Sequence, residues 1–205
     1  IRDAFAKGVV AADAAPDADQ VQPASLDLRL GPKAYRLPAS FLPGPGRTVA
    51  QRVSELATHE VDLSRPTVLE RNCVHIVPLM ERLRLPAGVD ARANPKSSSG
   101  RLDIFVRIIA DGAATFDEIP AGYDGPLYAE VVPRSFPVIA RAGSRLAGKL
   151  GMGTNKRQLL CSAHGVHDAD HGAVEAIGGV VLRSQAQAMG AFGDLRRVLE
   201  DVAEA

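Results

Sequence analysis

Between residues 26 and 141 the apolar side chains fall into short runs, each bounded by proline, glycine or asparagine. Leu26, Leu28 and Leu30 alternate with Asp27 and Arg29, the period-two pattern of a half-buried strand. Runs at Cys73–Val77, Glu81–Leu85, Leu102–Ala110, Pro126–Val132 and Phe136–Arg141 read as further strands. A loop rich in Pro38, Pro43, Gly44, Pro45 and Gly46 follows the first strand. Helical spacing is scarce here. A chain that buries its apolar surface through many short strands packs as an all-β sandwich or barrel.

The flanks differ. Residues 1–10 suit a short amphipathic helix, joined by a polar, alanine-rich connector that ends near Gln20. Residues 151–172 are polar and contain histidines. Beyond them Val174, Ile177, Val181, Ala188, Phe192, Leu195, Leu199 and Val202 recur at roughly helical spacing, interrupted near Gly178-Gly179 and Gly190. The expected organisation is a β domain over residues 1–150, followed by an atypical polar, then helical, tail over 151–205.

Composition narrows the function classes. The chain has 205 residues, 46% of them hydrophobic, enough for a real core. Lysine plus arginine equals aspartate plus glutamate at 24 each, which argues against a general nucleic-acid binder. An anionic small molecule needs only a few local cations, so that class stays open. No apolar run of about eighteen residues is present, so no membrane span is expected. Two cysteines, Cys73 and Cys161, make no disulfide framework, and a cytoplasmic location is expected.

The densest polar cluster is Lys96-Ser97-Ser98-Ser99-Gly100-Arg101, immediately before an apolar strand. Hydroxyls and backbone amides that donate to oxygen, flanked by cations, can cradle a phosphate chain. The plainer alternative is a serine-rich turn. A Walker loop is excluded by the missing glycine-lysine-serine order. Glu130, within GPLYAEVV, shares a strand face with Tyr128 and Val132, opposite Leu127, Ala129 and Val131. It is either a solvent-facing glutamate on a one-sided sheet or a general base tuned by its surroundings.

Three motifs, QPASLDLRLG (Gln22–Gly31), KSSSGRL (Lys96–Leu102) and IPAGYDGPLYAE (Ile119–Glu130), together resemble the dCTP deaminase family in order and separation. The resemblance covers roughly residues 1–150. It implies a distorted dUTPase-like β-barrel of the β-clip or jelly-roll type, assembled as a homotrimer with sites between subunits. It implies hydrolysis of dCTP to dUTP and ammonia, with Glu130 activating water for attack at C4 of cytosine. Ser97 and Arg101 match the residues that line the base and water site. Lys96 and Ser98 match positions that hold the triphosphate, normally as its Mg2+ complex. Tyr123 matches the aromatic residue that packs on the deoxyribose and crowds out a 2′-hydroxyl.

A zinc deaminase needs an H-x-E and P-C-x-x-C ligand set, which this chain lacks, so no zinc cofactor is expected. Two features depart from the family pattern, one position and the tail. Pro120 stands where most relatives carry an aspartate that contacts the sugar 3′-hydroxyl, which argues against the alternative of a dUTP diphosphatase. Asp117 and Asp124 are the nearby carboxylates that could substitute. The tail resembles neither the usual closing segment nor a second barrel, which keeps open a catalytically impaired nucleotide-binding or assembly module. Its Cys161, His164, His167 and His171 fit no standard metal spacing, and no metal site is assigned to them. Cys73 and His75 are read as ordinary core and edge residues.

Overall fold

The computed structural model describes residues 2–22, 25–146 and 149–153. The expected C-terminal helices and the cluster Cys161, His164, His167 and His171 lie outside the described residues. What is described is mostly β. The chain opens with α1 (Arg2–Ala6), β1 (Val10–Ala12), β2 (Leu26–Asp27), β3 (Lys33–Leu37) and α2 (Val49–Leu56). It continues through β4 (His59–Asp62), β5 (Thr67–Leu69), β6 (Val74–Arg84), β7 (Asp90–Asn94) and α3 (Ser97–Arg101). The last elements are β8 (Ile104–Ala110), β9 (Glu118–Ile119), β10 (Asp124–Pro133), β11 (Val138–Ala140) and β12 (Lys149–Gly153).

The strands form three sheets. The largest runs β4-β3-β6-β10-β8, with β1 also paired to β6; the others run β2-β12-β7-β9 and β11-β5. Every pairing is antiparallel. The described residues are mostly β, as expected, and no closed barrel is seen among them. Closure needs the two edge strands of a sheet to pair, and β4 and β8 remain edges among the described residues.

The long strand β10 is buried almost throughout because both of its faces are covered. On one face Leu127, Ala129 and Val131 join Leu26, Leu28, Leu30, Ile108 and Leu150 in the main core. On the other, Tyr128, Ile76 and Ile109 pack with Leu37, Phe41, Val49 and Val53. The last two belong to α2, and each buried valine contributes on the order of 2 kcal/mol. No helix was expected there. Its signal was the capping box: Thr48 Oγ1 accepts from the Gln51 amide at 3.1 Å, and Gln51 Oε1 accepts from the Thr48 amide at 2.9 Å.

Several expected boundaries move, among them β8, which starts at Ile104, and β10, which spans Asp124–Pro133. The N-terminal helix stops at Ala6; Gly8 takes a φ of 68°, and Val10 leaves the helix to pair with Leu83. The separate strands expected at Cys73–Val77 and Glu81–Leu85 are one strand, β6, running through Pro78. Proline cannot donate to a ladder, and the register of β10 against β6 shifts between Pro126 and Tyr128, beside Pro78. The run Phe136–Arg141 shortens to Val138–Ala140.

Gly31 fixes where the first motif crosses β6. Its amide donates to Pro78 O at 2.8 Å, and a Cβ at this position would sit 2.6 Å from the same oxygen. Only glycine permits that approach.

Candidate active site

The segment Leu26–Leu30, expected as a half-buried strand, is strand only at Leu26–Asp27 and is buried on both sides: Asp27 is 5% exposed and Arg29 3%. Buried charges survive only with partners. Glu81, on β6 and fully buried, supplies one. Its Oε1 accepts from Arg29 Nε at 2.8 Å and Gln20 Nε2 at 2.7 Å, and its Oε2 accepts from the Arg29 amide at 2.8 Å. The Arg29 guanidinium also donates to Ala15 O at 2.9 Å and Ala14 O at 2.8 Å, pinning the connector. Arg29 and Glu81 thus hold the fold together. Asp27 Oδ2 takes Lys96 Nζ at 2.6 Å, while its Oδ1 is buried without a partner.

The second motif, beginning at Lys96, forms a single helical turn. The amides of Ser99 and Gly100 donate to Lys96 O at 3.0 and 3.1 Å. Ser97, Ser98 and Arg101 face solvent, whereas Ser99 points inward and its hydroxyl donates to Leu146 O at 3.0 Å. Of the three hydroxyls, two remain open to a ligand.

Glu130 is not solvent-facing. It is 1% exposed, in a row across the sheet with Ile76 on β6 and Arg107 on β8. Its Oε1 accepts from Arg107 Nε at 3.1 Å and Nη2 at 2.6 Å; its Oε2 is buried and has no partner. Arg107 also donates from Nη2 to Ser40 Oγ at 2.8 Å, and its guanidinium lies 3.5 Å from the centroid of Phe116 and 4.8 Å from that of Phe105. Sequence reasoning missed Arg107. The available signal was a lone cation inside the apolar run IFVRIIA. Asp117 is close enough to act electrostatically on both: burial raises its carboxyl, opposed by a hydrogen bond from the Ile108 amide (2.7 Å to Oδ1) and by Arg107, while Glu130 adds to the rise.

Tyr123 is buried within its own turn. Its hydroxyl donates to Pro126 O at 2.5 Å and accepts from the Asp111 amide at 3.1 Å, and burial pushes its pKa up to about 12. Pro120 borders a cleft of about 460 Å³ that Arg92, Thr115 and Glu118 also line. Neither proposed substitute for the missing aspartate is free: Asp117 is held by Ile108, and Asp124 pairs with Arg84 at 3.2 Å. A second cleft, about 390 Å³, is lined by His59, Glu60, Asp62, Arg65, Glu70 and His75. His75 is a core residue of β6, 1% exposed, as read from the sequence; Cys73, just ahead of the strand, is half-buried. Neither cleft includes Glu130, Ser97, Ser98 or Arg101.

Among the described residues the structure thus brings the first motif onto the second through Asp27 and Lys96. It makes no hydrogen bond between Glu130 and Ser97, Ser98 or Arg101 within one chain. No group of three or more histidines, cysteines and carboxylates is placed to hold a metal ion among the described residues.

Residues 1–150 match the family model of the 2′-deoxycytidine 5′-triphosphate deaminase N-terminal domain. A dCTP deaminase of Rhodospirillum rubrum is 30% identical over 157 residues, spanning 71% of this chain and 75% of that protein. A dCTP deaminase of Halorubrum lacusprofundi is 30% identical over 133 residues, 64% of this chain and 63% of that one. The crystal structure of 2′-deoxycytidine 5′-triphosphate deaminase from Agrobacterium tumefaciens superposes with a TM-score of 0.72 at 57% identity. That superposition covers 75% of this chain but 46% of the Agrobacterium chain, so the present chain spans about half of that neighbour's length.

Proposed function

The chain belongs to the 2′-deoxycytidine 5′-triphosphate deaminase family, and from that membership we propose that it hydrolyses dCTP to dUTP and ammonia with Glu130 as the base. The observation that carries this reading is Glu130 itself. It is a buried carboxylate with one oxygen held by a cation and the other buried without a hydrogen bond. A buried polar atom left without a partner costs stability and calls for a reason, and a reacting water or proton donor supplies one.

The chemistry balances through that oxygen. Water oxygen bonds to C4 of the cytosine as Glu130 takes one of its protons and passes it to ring N3. The second water proton then reaches the amino nitrogen by the same route, the C4–N bond breaks, and ammonia leaves a C4 carbonyl behind. A carboxylate that both accepts and returns protons is general acid–base catalysis in its ordinary form. Ser97 and Arg101 are assigned to donors around the tetrahedral intermediate, where fixed hydrogen bonds matter most. Ser98 and Lys96 are assigned to the triphosphate, with Lys96 shared between ligand and Asp27. Because the Tyr123 hydroxyl is committed to its own turn, its ring face is the part left to pack on the sugar.

Magnesium enters this reading with the nucleotide. Mg2+ takes few protein carboxylates and keeps phosphate and water ligands, which suits a chain whose described residues form no metal-binding cluster. A homotrimer is part of the proposal, since Glu130 and the Ser97–Arg101 turn make no hydrogen bond within one chain. Exposed Leu102, Phe105 and Phe136 flank the Asp103 link to Arg134 and Ser135 and offer an apolar surface for such contacts. No described helix is long and apolar enough to cross a membrane. A soluble cytoplasmic protein, acting on free nucleotide rather than nucleic acid, completes the reading.

The residues 1–150 as a catalytic domain and the tail as an appendage complete the domain proposal. The test is an assay with dCTP and Mg2+ that follows ammonia and diphosphate separately. Ammonia without diphosphate supports the deaminase. With dUTP supplied in place of dCTP, diphosphate release combined with no ammonia from dCTP overturns it in favour of a diphosphatase, and bound nucleotide without either product favours an impaired module.

A further inference from the structure

We propose that Arg107 is a positioning residue for this reaction, fixing Glu130 so that Oε2 alone carries the protons. The inference rests on the reading of Glu130 as the base. Arg107 grips Oε1 with two donors, Nε at 3.1 Å and Nη2 at 2.6 Å, a fork that sets the carboxylate plane as well as its place. The guanidinium is itself held from several directions. Ser40 Oγ takes a further hydrogen bond at 2.8 Å, and Phe116 and Phe105 lie 3.5 and 4.8 Å from it, centroid to Cζ. Arginine stacks on aromatic rings and keeps its charge at any working pH, which lysine can only partly imitate.

The result is two inequivalent carboxylate oxygens. Oε1 is occupied, and Oε2 is buried without a hydrogen bond. A glutamate free to rotate would present either oxygen at varying distance from the water. One clamped by Arg107 presents a single oxygen in one place, and a misplacement of about 1 Å costs roughly 100-fold in rate. Phe116 belongs to the turn that precedes β9, so the stack also ties the base to the 111–117 loop.

The experiment uses the full chain and compares Arg107→Gln, Arg107→Lys and Glu130→Gln in steady-state ammonia release from dCTP. Thermal unfolding of each variant is followed alongside. Arg107→Gln is expected to lower kcat about 100-fold with KM for dCTP within roughly threefold of the parent. Arg107→Lys keeps a charge without the fork and should recover part of the loss, which a merely structural role would not predict at equal melting temperature. The pair Arg107→Gln with Glu130→Gln should be no slower than Glu130→Gln alone. If Arg107→Gln keeps full kcat while Glu130→Gln is dead, the positioning role is wrong and the base assignment stands. A raised KM at unchanged kcat in Arg107→Gln would make Arg107 a substrate ligand instead. If Glu130→Gln turns over normally, both readings fall together. Should Arg107→Gln fail to fold, Arg107→Lys with unchanged kcat overturns the proposal on its own.

Discussion

Lys96 Nζ lies 2.6 Å from Asp27 Oδ2, joining two motifs that stand 69 residues apart in the chain. Asp27 is 5% exposed, and its other oxygen is buried without a partner, so Lys96 is the cation that makes the buried carboxylate tolerable. Lys96→Met is expected to destabilise the fold by about 2 kcal/mol, less than for a fully buried pair because the lysine is partly solvated. Urea unfolding at neutral pH measures it. The double replacement Asp27→Asn with Lys96→Met should cost less than the lysine change alone, since no unpaired charge is then left behind.

The Gly31–Pro78 contact gives a steric prediction. A Cβ at residue 31 meets Pro78 O at 2.6 Å, and that atom is backbone in a central strand, unable to swing aside. Gly31→Ala should destabilise by about 2–3 kcal/mol, in the range of overpacking changes. The thermal midpoint of the variant reports it. An unchanged midpoint would mean that β6 shifts more freely than its pairing with β3 and β10 suggests.

Asp117 joins conformation to pH. It holds a φ of 62° and accepts from the Ile108 amide at 2.7 Å, two duties that asparagine can also perform. Asp117→Asn should fold normally, whereas Asp117→Ala should lose about 1–2 kcal/mol. Burial raises the Asp117 carboxyl above its ordinary value of 3.8, so the folded chain holds this proton more tightly than the unfolded one. Its contribution to stability therefore falls as pH rises through 3.8 toward the raised value. Asp117→Asn removes that fall, and a plot of unfolding free energy against pH for the two proteins shows the difference.

His75 works in the opposite sense. Burial pulls its pKa below the usual 6.5, so the unfolded chain takes up a proton that the folded chain resists. The stability linked to His75 is present above about 6.5 and is lost as pH falls below it. His75→Leu should weaken this loss between neutral pH and the lowered value. Melting temperatures recorded across that interval, against the parent chain, test the sign directly.

Much of the architecture was legible because alternation and turn residues are local signals. Leu26, Leu28 and Leu30, then Ile104, Val106 and Ile108–Ala110, then Leu127–Ala129, Val131 and Val132 fall in the core along the runs the pattern placed there, whereas Leu102 and Phe105 of the same run are exposed. The opposite face of Glu130 from Leu127, Ala129 and Val131 was read correctly as well. What the pattern could not show was burial on both faces. Asp27, Arg29 and Glu130 look like outward residues of a one-sided sheet until Lys96, Glu81 and Arg107, distant in sequence, arrive to pair with them. Helix α2 was missed for a different reason: one capping box and two buried valines make a weak signal beside a proline-rich loop. Pro78 misled in its turn, because a break expected at proline is absorbed by a bulge in β6 itself, where the residues between Pro78 and Arg82 stand opposite Leu127 alone.

Glu130 is proposed as the base of a dCTP deaminase. Ammonia release from dCTP by the parent chain and by Glu130→Gln, each first checked for nucleotide binding, tests it most directly. The parent is expected to turn over and the variant to lose about 1,000-fold or more, with nucleotide affinity nearly unchanged. Turnover at the parental rate by Glu130→Gln would contradict it.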